Sequence, residues 1–463
     1  MNDPVVLKLI DALGKEKVLI GEALKDRYVH IWKMDEPLVA KALFLPKTTD
    51  EVSKIMKICY EFDQPVCIHG GLTNLVGSTE TQKDEVVISL EKMSNIIEVD
   101  PSARAITTEA GVILEHLQEA AKENDMLLPI NFGAKGTAQI GGIISTNAGG
   151  LKVFRYGMTR KLVLGLEVVQ ADGTIISSMK KVIKDNSAYD LKQLFVGSEG
   201  TLGIITKAVL KLCESPKSRN SAFAAFNDYS KVIQFLKFMD ANLAGTLSGF
   251  ELIWQKSYQI MTGEGTGVRP PLPQKYNYYV LLESLGSDQS SDKDTLEKLL
   301  IQATEMEMIL DATMAQTVAD LDWFWGIRED VHALVKTCTF DQHFDVSIPI
   351  PQIGAYVEKT VEQLYQISGV TVVYPFGHMA DGNIHFIVGK STEDEALKLA
   401  INDCVYKDIK KLNGSVSGEH GIGLHKKKYL HLCRTDEEID LMKMLKRSLD
   451  PKNILNRSKI FDL

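Results

Sequence analysis

No run of about 18 apolar residues occurs anywhere in the 463-residue chain, so no segment reads as a membrane span. An excess of positive charge is missing as well. Lys and Arg total 52 against 61 Asp and Glu, a net charge of -9, which argues against nucleic acid as a main partner because phosphate binding needs a basic surface. A local cationic patch for a small anion remains compatible with that balance. Cysteine is sparse and unpatterned. Cys59, Cys67, Cys213, Cys338, Cys404 and Cys433 show no CxxC or zinc-finger spacing and read as reduced thiols of an intracellular protein. There is no GxGxxG in a strand-to-helix context and no GxxxxGK[ST]. The nearest stretch, "GGLTNLVGST" at 70–79, lacks the lysine, which disfavours nicotinamide and nucleoside-triphosphate chemistry. The N-terminal "MNDPVVLKLIDALGKEKVL" has acidic residues and a helical apolar period. It reads as neither a signal peptide nor an evident transit peptide, and a cytoplasmic location is expected. No internal repeat or low-complexity segment occurs.

What is present is an ordinary globular composition, 44% hydrophobic and 24% charged, on a chain long enough for two or three domains. From about 38 to 215, short β-branched runs alternate with glycine-rich turns and amphipathic helices. "TTDEVSKIMKICYEF" begins with capping residues and continues at helical spacing. "PVCIHGG" is a buried strand running into a glycine loop, "GVILEHLQEAAKEND" is a second helix, and "LVLGLEVVQADGTII" is two strands joined by a two-residue turn at Asp172-Gly173. After the polar break "SPKSRN", the strands "AFAAF" and "YNYYVLLESLG" and the helix "DKDTLEKLLIQATEM" point to a second, antiparallel α+β domain, within which "GEGTGVRPPLPQ" is a loop.

Glycine is dense in "HGGLTNLVGS", "GAKGTAQIGGIISTNAGG" and "GSEGTLGII". Successive amides of such turns can form an anion nest for a pyrophosphate, although a single glycine loop is equally a tight surface turn. Together with "RYGMT", "LEVVQADGTI", "NSAYDLKQLFVGSEGTLGIIT", "GHMADGNIH", "SGEHGIG" and "LDPKNILNRSKIF", these motifs closely resemble, in order, the FAD-linked 2-hydroxyacid dehydrogenases. The resemblance is strongest to the D-2-hydroxyglutarate and D-lactate dehydrogenase group of the flavoprotein family with the vanillyl-alcohol-oxidase fold. It is good over 40–215 and 320–463 and loose between.

The resemblance implies an α+β protein in three parts. Residues 1–215 form a two-lobed FAD-binding domain of the vanillyl-alcohol-oxidase/PCMH type, 216–415 an antiparallel-sheet cap that holds the substrate, and 416–463 a helical C-terminal segment packing back on the FAD domain. Gly70, Gly71, Leu72, Thr73, Asn74 and Gly77 would bind the pyrophosphate. Pro129, Gly133, Thr137, Gly141, Gly142, Thr146 and Asn147 would line more of the cofactor, as would Glu199, Gly200 and Ile205, with Asn456 near the ring. Some members of the family it resembles attach flavin through a histidine just beyond these glycines; here Leu72, Thr73 and Asn74 follow them and His69 precedes them, so FAD is expected to be non-covalent.

In "FGHMADGNIHF" at 376–386, a two-residue turn at Asp381-Gly382 would set His378 opposite His385 on one face. That spacing suits two imidazoles sharing a cation, and equally a structural pair; two ligands alone make a weak site. The resemblance implies Glu419 as a third ligand to a divalent metal, zinc, manganese or iron, with His420 as the base that takes the hydroxyl proton. Arg328 in "DWFWGIRED" would anchor the substrate carboxylate, as guanidinium does in parallel hydrogen bonds. Asp345 also matches a family position. Three positions depart from the 2-hydroxyglutarate pattern: His332 for a threonine, His343 for a lysine and Ile387 for an asparagine. They favour another D-2-hydroxy acid. Expected partners are the small-molecule acid and a separate electron acceptor such as an electron-transfer flavoprotein, quinone or cytochrome, with a homodimer permitted. Two competing classes are a non-redox FAD transferase of the alkyl-glycerone-phosphate synthase type and a metal hydrolase on the same scaffold.

Overall fold

The computed structural model describes residues 3–32, 34–263 and 266–463; Glu264 and Gly265 of the expected loop at 263–274 lie outside the described residues. The chain divides into two compact units. One comprises 1–149, 157–215 and 419–463, the other 150–156 and 216–418. Relative to the expected boundaries, the short segment 150–156 goes with the second unit, and the return to the first comes at Glu419.

The first unit holds two main sheets. Strands β1 (Val18–Leu19), β2 (Ala42–Phe44), β3 (Val66–His69) and β4 (Val86–Ser89) run in the order β1-β2-β4-β3, with β2, β4 and β3 parallel. Parallel neighbours require a crossover, and the helix Thr49–Glu61 lies between β2 and β3 in the chain. Its N-cap Thr48 accepts from the Glu51 amide, and Val52, Ile55, Met56 and Cys59 are fully buried, as the 3.6-residue period requires. The second sheet is antiparallel, β5-β6-β10-β8-β9, from β5 (Ile96–Asp100), β6 (Ala105–Glu109), β8 (Val163–Val169), β9 (Ile175–Ser178) and β10 (Ile204–Lys211). A small pair joins β7 (Met126–Leu127) to β11 (Cys213–Glu214). The β8–β9 connection is longer than expected: the Gln170 amide still donates to Thr174, so the tight turn spans Ala171–Gly173, with Gly173 at φ +81°.

The second unit is built on one seven-stranded antiparallel sheet, β15-β12-β14-β13-β17-β18-β16. Its strands are β12 (Ser218–Phe226), β13 (Leu247–Trp254), β14 (Tyr278–Gly286), β15 (Asp311–Met314), β16 (Phe340–Ser347), β17 (Val370–His378) and β18 (Asn383–Lys390). The expected polar break at 215–220 is in part the start of β12, where Ser218 and Asn220 are buried. Side chains alternate between the two faces. On one face Phe226 and Phe250 meet Phe235 of the helix Tyr229–Leu243. On the other, Phe223, Ile253, Leu281, Tyr374, Phe376 and Ile387 pack beneath the helices Gln255–Met261, Val318–Glu329 and Val331–Val335. This second face carries the polar residues described next.

Candidate active site

The hairpin of β17 and β18 differs from the expected two-residue turn. His378 pairs with Asn383, Gly377 with Ile384 and Phe376 with His385. The connection is Met379–Gly382, with Gly382 at φ +86° and its amide donating to the Met379 carbonyl. His378 is therefore diagonal to His385 rather than opposite it. The slip is two residues, and a side-chain period of two leaves both histidines on the expected face. Their rings meet edge to face, with centroids 5.2 Å apart.

Three buried groups surround this pair. Glu251 of β13, 1% exposed, sits opposite His378 in the register. Its carboxylate accepts from His378 Nδ1 at 2.9 and 2.7 Å to its two oxygens and from Arg328 Nε at 2.8 Å. Burial by itself would push the Glu251 carboxyl up. The adjacent charges of His378 and Arg328 and their hydrogen bonds outweigh it and hold the group below the usual carboxylate range. With Nδ1–H donated to Glu251, the ring in its neutral form is held in the tautomer whose Nε2 carries the lone pair, the form a metal requires. Arg328 also lies over the Phe376 ring at 4.9 Å. Its buried Nη2 is 2.7 Å from the Glu251 carboxylate, yet no aligned hydrogen bond satisfies it, so the guanidinium keeps donor capacity for an anion.

Asp345 of β16 pairs in register with His385 and is fully buried. It accepts from Asn383 Nδ2 at 2.6 Å, Ser417 Oγ at 3.1 Å and the Gly418 amide at 3.1 Å. Asp345 thus fixes the two residues that precede Glu419 and His420 in the chain. His343 and Ile387 occupy the next register pair along the same face. His343 is exposed and its Nε2 is 2.7 Å from the Asp341 carboxylate, whereas Ile387 is 1% exposed within the apolar cluster. His332 is exposed on the helix Val331–Val335.

The glycine-rich residues gather in the first unit. A Cβ on Gly71 would lie 2.2 Å from the Thr137 carbonyl oxygen, so the two glycine runs touch only because that side chain is absent. Gly133 and Gly142 face open space, and near Gly70 the Gln139 Oε1 is buried without a hydrogen bond. Bare backbone beside an orphaned acceptor fits a large polar cofactor such as FAD. Pro129 and Ile205 are buried, while Thr137 is exposed. Thr146 Oγ1 donates to the Gly142 carbonyl and Asn147 Oδ1 accepts from the Arg160 amide.

The remaining polar residues stitch the unit together. Glu199, at φ +50°, accepts from Ser78 Oγ, the Ile422 amide and the Gly423 amide at 2.7 to 2.9 Å. Burial dominates there and raises its pKa. Asn456 accepts from the Ile68 amide and donates to the Glu199 carbonyl, and Gly200, at φ +72°, packs against it. His69 is buried with Nε2 on the Thr79 carbonyl, and burial brings its pKa down to about 4.

Sequence reasoning missed Glu251 and, on β14, Glu283. The latter is fully buried against Lys152, Arg219 and Ser248. Each stands alone in an apolar strand, "GFELIW" and "VLLESL", and a lone carboxylate in such a run is the available signal, since buried charge persists only when paired.

Comparison with known proteins adds the following. Residues 40–178 match the model of an FAD binding domain and residues 215–460 that of the FAD linked oxidases, C-terminal domain. A probable mitochondrial D-2-hydroxyglutarate dehydrogenase of Oryza sativa subsp. indica is 39% identical over 422 residues, 91% of this chain and 75% of the relative. The mitochondrial D-2-hydroxyglutarate dehydrogenase of Arabidopsis thaliana is 36% identical over 450 residues, 97% of this chain and 80% of the relative. A crystal structure of p-cresol methylhydroxylase aligns over 99% of this chain and 96% of its own, with a TM-score of 0.76 and 16% identity, which shows a shared fold. The relatives are named as mitochondrial, which overturns the cytoplasmic expectation. Unpatterned cysteines and the lack of an apolar span report the chemistry of a chain and carry no address. Among the described residues no helix is long and apolar enough to cross a membrane.

Proposed function

Because the chain belongs to the FAD-linked D-2-hydroxyacid dehydrogenases of the vanillyl-alcohol-oxidase-fold flavoproteins, we propose that it oxidises a D-2-hydroxy acid to the 2-oxo acid and passes the electrons to a separate acceptor. What supports this most is the buried carboxylate of Glu251, which orients a metal-type histidine and a carboxylate-type arginine on one sheet face.

FAD, when bound, supplies the acceptor for the Cα hydride, and a divalent metal, when bound, supplies the positive charge that acidifies the hydroxyl. His378 and His385 offer imidazole nitrogens to such a metal, and Glu419, the residue after the anchored Gly418, offers the third ligand. This donor set suits zinc, with manganese or iron as alternatives. Arg328 donates to the substrate carboxylate and so fixes Cα and its hydroxyl. His420 takes the hydroxyl proton. His332, His343 and Ile387, which depart from the 2-hydroxyglutarate pattern, favour another D-2-hydroxy acid, and the Asp341 carboxylate already engages His343.

An anaerobic screen tests these assignments together. The purified protein is expected to be yellow, to bleach with a D-2-hydroxy acid faster than with its L enantiomer, and to bleach faster with another D-2-hydroxy acid than with D-2-hydroxyglutarate. Chelation should slow bleaching and added zinc or manganese restore it. Protein that takes up no FAD overturns the flavin assignment, and bleaching indifferent to chelation removes the metal from the reaction.

A further inference from the structure

The first glycine loop is gripped from outside by residues that precede the match to the FAD-binding domain, which begins at residue 40. The Ile31 amide donates to the Leu72 carbonyl at 3.1 Å. Trp32 Nε1 donates to the carbonyls of Thr73 at 3.1 Å and Asn74 at 3.2 Å. Thr79 Oγ1 donates to the Val29 carbonyl and accepts from Asn74 Nδ2 at 2.5 Å, tying the far end of the loop to the same segment. The segment is itself closed at its base, where the Val29 amide reaches the Glu36 carbonyl and the Leu38 amide the Arg27 carbonyl, at 3.2 and 2.7 Å.

Three successive loop carbonyls, those of Leu72, Thr73 and Asn74, are therefore turned toward this strap. In a trans peptide the carbonyl of one residue and the amide of the next point in opposite directions. The amides of Thr73, Asn74 and Leu75 are thereby aimed away from the strap, and they donate to no other described residue. Leu72 takes φ +57°, the left-handed step from which backbone anion nests are built. A loop left to itself would sample many orientations of these peptide planes, because the glycines that flank them, Gly70, Gly71 and Gly77, restrain its ends little.

We propose that Trp32 is a positioning residue for FAD: its indole N–H, with the Ile31 amide, presets the 72–75 amides toward the pyrophosphate. This rests on the FAD part of the function proposed above. Trp32 is 51% exposed, so its ring adds little to the core, and the specific contribution is the N–H shared between two loop carbonyls.

The test uses the full chain stripped of FAD and titrated with FAD, as wild type, Trp32→Phe and Thr79→Val. Trp32→Phe keeps an aromatic ring and removes the donor; Thr79→Val removes the second tie. Each variant is expected to bind FAD about tenfold more weakly and to release it faster, while in Trp32→Phe, where the side chain is exposed, the thermal midpoint of the FAD-free protein stays at the wild-type value. Wild-type FAD affinity in Trp32→Phe overturns the proposal. So does a loss of affinity matched by a lower midpoint of the FAD-free protein, which is the mark of a merely structural contact. A wild type that takes up no FAD is a different result, and it overturns the flavin assignment itself.

Discussion

Glu251 holds two groups of different use, a histidine and an arginine, with one carboxylate in a site where an unpaired charge would be costly. Glu251→Gln keeps an acceptor for His378 but removes the charge that favours its orientation. At the proposed metal site, binding by the folded variant is expected to be about 10- to 100-fold weaker than in wild type, as read by metal titration of both proteins. Unchanged metal affinity would reduce Glu251 to a packing role. At this scale the sequence was informative where the motif itself names the residue, as with His378, His385 and Arg328. It was silent on Glu251, because the partner of His378 comes from a strand that is adjacent only after the sheet has assembled.

The β17–β18 hairpin shows the same division for an element. Asp381-Gly382 marks a turn, and Gly382 is indeed the residue at positive φ, but the number of residues outside the ladder is set by what the turn packs on. The Ile348 amide donates to the Gly382 carbonyl, and a Cβ on Gly382 would come within 2.7 Å of the Ile348 carbonyl oxygen. Gly382→Ala is expected to cost about 1–3 kcal/mol, from the left-handed backbone together with that contact, measured by thermal unfolding. A variant as stable as wild type would mean that the turn relaxes freely. Strand and helix periods were legible for the same reason that the histidine face was: parity survives an error of two residues in loop length. The longer connections at 171–173 and 379–382 were not, because loop length follows from neighbours remote in sequence.

At the scale of the whole molecule, buried titratable groups shape the response to acid. His69 titrates near 6.5 when unfolded and at about 4 when folded. Above pH 6.5 neither state holds the proton. As pH falls from 6.5 toward 4 the unfolded chain takes it up and the folded protein does not, so stability is lost across that window, by roughly 3 kcal/mol in full. Glu251, depressed in the folded state, contributes stability that is lost only at lower pH, as it too becomes protonated. Unfolding midpoints between pH 6.5 and 4 should therefore fall more steeply for wild type than for His69→Gln, which retains a donor for the Thr79 carbonyl. Parallel curves would mean that His69 is not the group responsible.

The sequence by itself determined the family, the α+β class, the glycine-rich runs and the face on which the paired histidines stand. Each of these is carried by local periodicity or by residues close together in the chain. Only the tertiary structure decided that Glu251 joins His378 to Arg328, that Asp345 holds the residues leading to Glu419, and that a segment around Trp32 grips the first glycine loop. Such contacts depend on which strands become neighbours and on where chain ends return, for example the C-terminal helix whose buried Lys446 donates to the carbonyls of Thr201 and Leu455. Burial then makes them matter, because a polar group withdrawn from water must find its partner wherever the fold supplies one.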